Sequence, residues 1–314
     1  MKKFAFLFPG QGSQSVGMLN VYVDHPAVRA TIDEASDVLS ENLSAVIDNG
    51  TADALNLTTN TQPVMLAADV GVWRAWQQAG GADPAMMAGH SLGEYAALVA
   101  AGALEFADAV RLVRFRAQAM QEAVPAGVGA MAAVIGGEDE GILQACAEAA
   151  QGEVVEAVNF NAPGQLVIAG HRGAVERAML TVKAHGAKRA ILLPVSAPFH
   201  SSLLRPAAAR LAERLADIRF APPRIPVLHN VDVEEHADPA AIRTALAEQA
   251  ARPVRWSATV RAITALGVTT LVECGPGKVL TGLMRRIDAN LEALALSDGY
   301  DIDAAIAALK TETA

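Results

Sequence analysis

Gly89-His90-Ser91-Leu92-Gly93 matches G-x-S-x-G, a pattern that lifts a serine hydroxyl onto a sharp strand-to-helix turn. Glycines beside the serine permit the turn, and a helix opening just after it points free N–H groups at developing negative charge. The N–H of Leu92 is then a candidate oxyanion donor. A chance glycine turn would also match. The context favours the chemical reading, because the apolar run Pro84 to Ala88 precedes the motif and a helical stretch follows from Glu94.

A serine hydroxyl needs a base. Seven histidines are available: His25, His90, His171, His185, His200, His229 and His236. His90 adjoins the serine, but the turn would point the two side chains apart. His200 is best placed, after Pro194-Val195-Ser196-Ala197-Pro198-Phe199 and before a helix rich in Ala and Leu. A helix N-terminus would disfavour imidazolium and keep the ring able to accept a proton. A lone histidine at a helix start is more often a structural or exposed residue. No triad acid is evident, since Asp108, Glu122 and Asp139 lie on exposed-looking helices or in an insertion, and none follows a core strand. Either the chain order is unusual, or a neutral acceptor such as a backbone carbonyl orients the histidine.

On the helical stretch Phe106 to Val124, Arg111, Arg114, Gln118 and Gln121 share one polar stripe. Arg116 falls elsewhere: its neighbours at helical spacing are Ala109, Leu112, Ala119 and Ala123. An arginine on a small apolar face stays charged and wants a planar anion, either a buried carboxylate or a substrate carboxylate held bidentately. Gly10-Gln11-Gly12-Ser13-Gln14 could cradle an anion, or bring the Gln11 N–H to an acyl oxyanion. It is not a nucleotide fingerprint, lacking both the third glycine and a Gly-Lys-Ser/Thr. Cys274, Trp73 and Trp76 read as core packing.

The elements that must position these residues alternate in type. Phe4 to Phe8 reads as a buried strand closed by Pro9-Gly10, and Pro63 to Gln78 as a helix ended at Gly80-Gly81. Helices read over 94–102 and 106–124. Strands are expected at Gly129–Ile135, Val154–Phe160, Leu166–Ala169 and Arg189–Val195, with a turn at Asn161-Ala162-Pro163-Gly164. Helices at 139–150 and 173–184 complete a β-α-β-β-α-β order, the ferredoxin-like one. An inserted subdomain is therefore expected at 128–196, within an α/β core of mainly parallel sheet formed by 1–127 and 197–314. Val227-Leu228 and Leu271-Val272-Glu273 read as further strands, and a helix opens at Lys278.

The chain has 314 residues, 25 Lys+Arg against 34 Asp+Glu, and a formal net charge of −9. That length suits about two domains or one with an insertion. The acidic balance, without a basic tract, argues against nucleic acid and anionic membrane. Two cysteines, Cys146 and Cys274, exclude a disulfide framework and a four-cysteine zinc site, as suits a reducing compartment. The apolar run at Phe4–Phe8 is shorter than the ~7–15 residues of a secretory signal, and no run reaches the ~18–20 of a membrane helix. A soluble cytoplasmic protein is expected.

Together these residues resemble the malonyl-CoA:acyl-carrier-protein transacylases of bacterial type II fatty acid synthesis. The blocks that carry the resemblance are Phe8-Pro9-Gly10-Gln11-Gly12-Ser13-Gln14, Gly89-His90-Ser91-Leu92-Gly93-Glu94-Tyr95 and Asn159-Phe160-Asn161-Ala162-Pro163-Gly164-Gln165. Val195-Ser196-Ala197-Pro198-Phe199-His200, Pro253-Val254-Arg255-Trp256 and Gly275-Pro276-Gly277-Lys278-Val279-Leu280 follow in order. The resemblance implies an α/β-hydrolase-like core with an inserted ferredoxin-like subdomain. It makes Ser91 the nucleophile, His200 its base, Gln11 and Leu92 the oxyanion donors, and Arg116 the malonyl carboxylate ligand. It also implies that the main-chain carbonyl of Gln249 orients His200, and that Phe199 favours malonyl over branched acyl groups. Here Ala250-Ala251-Arg252 departs from the bulkier residues of that family.

The implied reaction passes malonyl from malonyl-CoA to the phosphopantetheine thiol of holo acyl carrier protein by a ping-pong route. No metal or cofactor is implied, CoA being substrate and product, and the family suggests a monomer. Carrier proteins of this kind are acidic, so docking needs local positive charge, for which Lys188, Arg189, Lys278, Arg285 and Arg286 are candidates. The alternatives are a malonyltransferase serving a polyketide or malonate-decarboxylase carrier, a serine hydrolase, and a non-catalytic docking module.

Overall fold

A computed structural model describes residues 2–195, 197–297 and 302–310. Ser196, in the block before His200 and at the end of the expected subdomain, lies outside the described residues. The chain begins with β1 (Phe4–Phe8), α1 (Pro26–Leu39), α2 (Leu43–Asp48), α3 (Ala52–Asn56), α4 (Thr58–Gln78) and β2 (Met86–Gly89). α5 (Gly93–Ala100), α6 (Phe106–Glu122), β3 (Gly129–Gly136), α7 (Asp139–Ala150), β4 (Val155–Ala162) and β5 (Gln165–His171) come next. α8 (Arg172–Thr181), β6 (Ala187–Leu192), α9 (Arg205–Ala216), β7 (Val227–Leu228), α10 (Pro239–Gln249) and α11 (Trp256–Ala265) follow. β8 (Thr270–Glu273), α12 (Val279–Ile287), β9 (Glu292–Ala295) and α13 (Ile302–Lys310) close the order.

Five strands form a parallel sheet in the order β7-β2-β1-β8-β9. β1 is buried on both faces, as its continuous apolar run requires. Phe4, Phe6 and Phe8 enter one core, where Trp73 and Trp76 meet the Phe6 ring edge-on at centroid distances of 5.6 and 5.0 Å. Ala5 and Leu7 enter the other, with Trp256 and Leu271. The two tryptophans of α4 are packing residues, as expected. Because β1 has β2 on one side and β8 on the other, the connections leaving it diverge. That divergence opens a crevice at the carboxyl ends of the strands, where α/β sheets bind ligands. Pro9-Gly10 after β1, His90-Ser91 after β2 and Cys274-Gly275 after β8 all emerge there.

The second sheet is antiparallel, in the order β4-β5-β3-β6, with α7 and α8 on one face. That is the ferredoxin-like arrangement the β-α-β-β-α-β order predicts. Its other face is also covered, because Met131, Val158, Val167 and Ala169 join the main core. Several boundaries differ from expectation. β4 runs to Ala162, so only Pro163 and Gly164 turn, with Gly164 at φ 66°. α4 begins at Thr58 rather than Pro63, which sits inside it without breaking it. β6 is Ala187–Leu192, and Leu193 to Val195 form a connection instead of continuing the strand.

Candidate active site

β2 ends at Gly89, α5 begins at Gly93, and Ser91 between them sits at φ 51°. A non-glycine residue in that left-handed region costs ~1–3 kcal/mol, so surrounding contacts must over-determine it. Close packing supplies part of that. A Cβ on Gly89 would lie 1.9 Å from the carbonyl carbon of Gly93, one on Gly93 2.1 Å from the Phe8 oxygen, and one on Gly10 2.4 Å from the His90 oxygen. Hydrogen bonds to the serine's own backbone supply the rest. Ser91 N donates to Asn230 Oδ1 at 2.7 Å, and Gln249 Nε2 donates to Ser91 O at 2.9 Å.

Ser91 Oγ lies 2.7 Å from His200 Nε2, and His200 Nδ1 lies 2.7 Å from the main-chain oxygen of Gln249. A carbonyl only accepts, so Nδ1 carries the proton and Nε2 is free to take one from the serine. The histidine is thus oriented by a neutral acceptor, one of the two outcomes left open by the missing acid. The expected helix dipole is not what keeps it neutral. α9 begins five positions on, at Arg205, behind a short 3-10 turn at Ser202–Leu204. Burial, with the charge of Arg116 second, holds the imidazole down to about 3 from its ordinary 6.5. His90 points away from Ser91, as expected, its Nε2 2.9 Å from Asn161 Oδ1.

Arg116 is 1% exposed, on the inward face of α6. The polar stripe of that helix faces outward, with Arg111 beside Asp108 and Arg114 beside Glu41. Arg116 Nη1 donates to Gln62 Oε1 at 2.8 Å, and Nη2 to Gln249 Oε1 at 2.9 Å and Ser91 Oγ at 3.1 Å. Its Nε has no partner, and among the described residues no carboxylate forms a salt bridge with it. Burial lowers its pKa, while Tyr95 and Glu94 oppose that shift. Among the described residues the buried ion pair considered from sequence is therefore absent, and two side-chain amides and the Ser91 hydroxyl hold the guanidinium.

A cleft of about 190 Å³ opens over Ser91, His200 and Arg116. Gln11 and Leu92 line it with their loops, and Phe199, Met131, Leu193 and Leu283 make its apolar walls. Among the described residues neither the Gln11 nor the Leu92 amide is spent on a backbone carbonyl. Lys188 and Arg189 are exposed on β6, just before Leu193. Lys278 precedes α12, whose first residues Val279 and Leu280 face the cleft, while Arg285 and Arg286 lie in that helix's last turn. Among the described residues no cluster of His, Cys, Asp or Glu could hold a metal, and no helix is long and apolar enough to cross a membrane. Cys146 and Cys274 are both buried.

Several polar residues here escaped the sequence reading: Gln62, Glu94, His229, Asn230 and the side chain of Gln249. Glu94 and His229 form a fully buried pair, Oε1 to Nδ1 at 2.7 Å. One signal was present. Glu94 stands among Gly, Tyr, Ala, Leu and Val in the Gly93–Ala100 segment, as Arg116 does on its own helix face.

A serine hydrogen-bonded to a histidine, at the carboxyl edge of a parallel sheet and beside a buried guanidinium, is an arrangement suited to an acyltransferase. The model of the acyl transferase domain family matches residues 5–293. A Salmonella typhimurium protein, malonyl CoA-acyl carrier protein transacylase, is 56% identical over 307 residues, 98% of this chain and 99% of that one. The acyl-carrier-protein S-malonyltransferase structure from Burkholderia pseudomallei is 59% identical, with TM-score 0.95, over 98% of this chain and all of that one. A malonyl-transacylase solved in complex with its type II PKS acyl-carrier protein is 52% identical, with TM-score 0.96, over 98% of this chain and 100% of that one. The chain belongs to the malonyl CoA-acyl carrier protein transacylase family.

Proposed function

We propose that this enzyme transfers malonyl from malonyl-CoA to the phosphopantetheine thiol of an acyl carrier protein through a malonyl ester of Ser91. It would act in the cytoplasm to supply fatty acid synthesis, as a monomer with no bound cofactor. His200 Nε2 takes the Ser91 proton as Oγ attacks the thioester carbonyl. The tetrahedral oxyanion rests on the Gln11 and Leu92 N–H groups, and it collapses as CoA sulfur leaves with the proton from His200. The carrier thiol then attacks the serine ester, His200 takes the thiol proton, and Ser91 regains it as the carrier leaves malonylated. One thioester is made for one broken, so nothing drives the reaction but mass action.

The observation that carries this reading is the buried Arg116 guanidinium beside Ser91 Oγ, with no carboxylate of the described residues in direct contact with it. A hydrolase of simple esters gains nothing from a buried cation there, whereas an acyl group ending in a free carboxylate pairs with it bidentately. Holding that carboxylate would also fix the ester where bulk water is displaced. Phe199, only 8% exposed in the cleft wall, leaves little room for an α-methyl branch. The test incubates the enzyme with malonyl-CoA and holo carriers from fatty acid and polyketide systems in turn. Malonyl-carrier is expected, with the fatty acid carrier preferred; free malonate as main product would make the enzyme a hydrolase.

A further inference from the structure

The chemistry above uses no carboxylate of the protein, yet one lies buried three residues after the nucleophile. Glu94 is 0% exposed, and both its oxygens are engaged. Oε2 accepts from the backbone N–H of Asn230 at 2.9 Å and from Gln249 Nε2 at 2.9 Å; Oε1 faces His229 Nδ1 at 2.7 Å. Burial opposes protonation of that histidine, but the Glu94 charge and hydrogen bond outweigh it and raise its pKa. What makes the carboxylate more than a buried ion pair is where its two amide partners go next.

Asn230 uses its side chain to accept from Ser91 N at 2.7 Å and to donate to Gly89 O at 2.7 Å. Gln249 donates to Ser91 O at 2.9 Å and accepts from Arg116 Nη2 at 2.9 Å, and its main-chain carbonyl orients His200. The N–H and the C=O of the strained serine are thus both gripped by residues that one carboxylate oxygen grips. The same Gln249 amide links the only anion in this network to the Arg116 guanidinium. We infer that Glu94 is a positioning residue for acyl transfer. It holds the Ser91 backbone at its left-handed conformation through Asn230 and Gln249, and balances the charge of Arg116 through the Gln249 amide. The acid of this site would then act on the nucleophile's main chain instead of on the histidine.

The inference rests on the acyl-transfer reading of Ser91, so its test uses a fluorophosphonate probe, which reports serine reactivity without any acyl donor. Removing the carboxylate in Glu94→Ala should slow labelling of Ser91 by about a hundredfold, the scale of a small misplacement of reacting groups. Glu94→Gln keeps the shape and one acceptor, and should recover about tenfold of that loss. With malonyl-CoA the loss should fall on kcat, with KM within about threefold of the parent enzyme, because the cleft walls are untouched. Asn230→Ser removes the acceptor for Ser91 N, and the double variant with Glu94→Ala should be no slower than the slower single, as for residues acting in one unit. Full reactivity of Ser91 in folded Glu94→Ala, or losses that multiply in the double variant, would overturn the inference. Should Glu94→Ala fail to fold, Asn230→Ser decides alone: wild-type labelling overturns it, and a loss at unchanged melting temperature supports it. A parent enzyme that labels normally but passes no malonyl to any carrier would sink the function while leaving the positioning role intact.

Discussion

Arg116 and His200 each owe their state to burial, and each yields a prediction. Arg116 is held by two side-chain amides and the Ser91 hydroxyl, so an acyl carboxylate would be its first counter-charge in direct contact. Truncation to alanine should lower kcat/KM for malonyl-CoA by about a hundredfold or more, since charge-assisted hydrogen bonds contribute about 1.5–3 kcal/mol each. Acetyl-CoA, with no carboxylate to hold, should lose less than about tenfold on the same scale. Equal losses with both donors, measured side by side, would remove the clamp. For His200 the sign follows from the depressed pKa, for burial and the Arg116 charge keep the ring neutral well below its ordinary 6.5. The base form therefore stays populated as pH falls. The rate of acyl-enzyme formation in single turnovers should stay flat from about pH 8 to about pH 5. A descending limb centred near 6.5 would mean that the imidazole is solvated in the working enzyme.

At the scale of elements, two buried acids differ in their partners. Glu273, at the end of β8, accepts from Leu280 N at 3.0 Å, Thr281 N at 2.7 Å and Thr281 Oγ1 at 2.7 Å, capping the first turn of α12. Asp69, in the middle of α4, is fully buried, with neither oxygen partnered. Burial, with the Glu273 charge added, raises its pKa well above 3.8. A carboxyl whose folded pKa exceeds its unfolded one takes stability away as pH rises past the unfolded value. Asp69→Ser, whose hydroxyl can bond back to the preceding helical turn, should therefore stabilise the fold by about 1–3 kcal/mol near neutral pH. The gain should shrink toward about pH 3, below the ordinary aspartate value, where the parent carboxyl is largely protonated in both states. Urea titrations at the two pH values measure it, and a gain independent of pH would mean that the folded pKa of Asp69 is not raised.

The same scale shows what the sequence could disclose. β1, the elbow at Ser91 and the β-α-β-β-α-β run were legible because apolar period and turn chemistry are local signals. The order β7-β2-β1-β8-β9 was not, since it is settled by pairings such as Ala5 with Met86 and Leu271 across most of the chain. Arg116 stood out because its whole helix face is small and apolar. Glu94 breaks an apolar stretch just as sharply, but nothing local to it marks what its carboxylate holds. Its partners lie at 229, 230 and 249, and only the folded chain brings them to it. α1 and α11, amphipathic but without strong caps, also went unassigned.

At the scale of the whole molecule, a net charge of −9 would repel an acidic carrier. The cleft mouth differs locally. Exposed Lys188 and Arg189 precede the Leu193 wall, Lys278 precedes the Val279–Leu280 wall, and Ile191, Leu192 and Val279 expose apolar surface nearby. Arg285 and Arg286 lie about two turns further along α12, and Arg285 also donates to Ala293 O. If the carrier docks here, reversing Lys188 and Arg189 to glutamate should raise its KM by about tenfold and flatten the salt dependence. Transfer to free pantetheine, which needs no docking, should be unchanged. Unaltered KM and salt response in the reversed enzyme would move the carrier elsewhere.

The two sides of the cleft differ in how far they can drift. Behind Ser91 three glycines have no space for a methyl group, so almost any mutation there meets main chain. Opposite, Met120, Met131, Leu193 and Phe199 are apolar side chains whose size can change without disturbing the nucleophile. Selection for a new acyl group can therefore explore one wall freely while the other stays frozen, letting substrate range diverge among descendants that keep the same reaction.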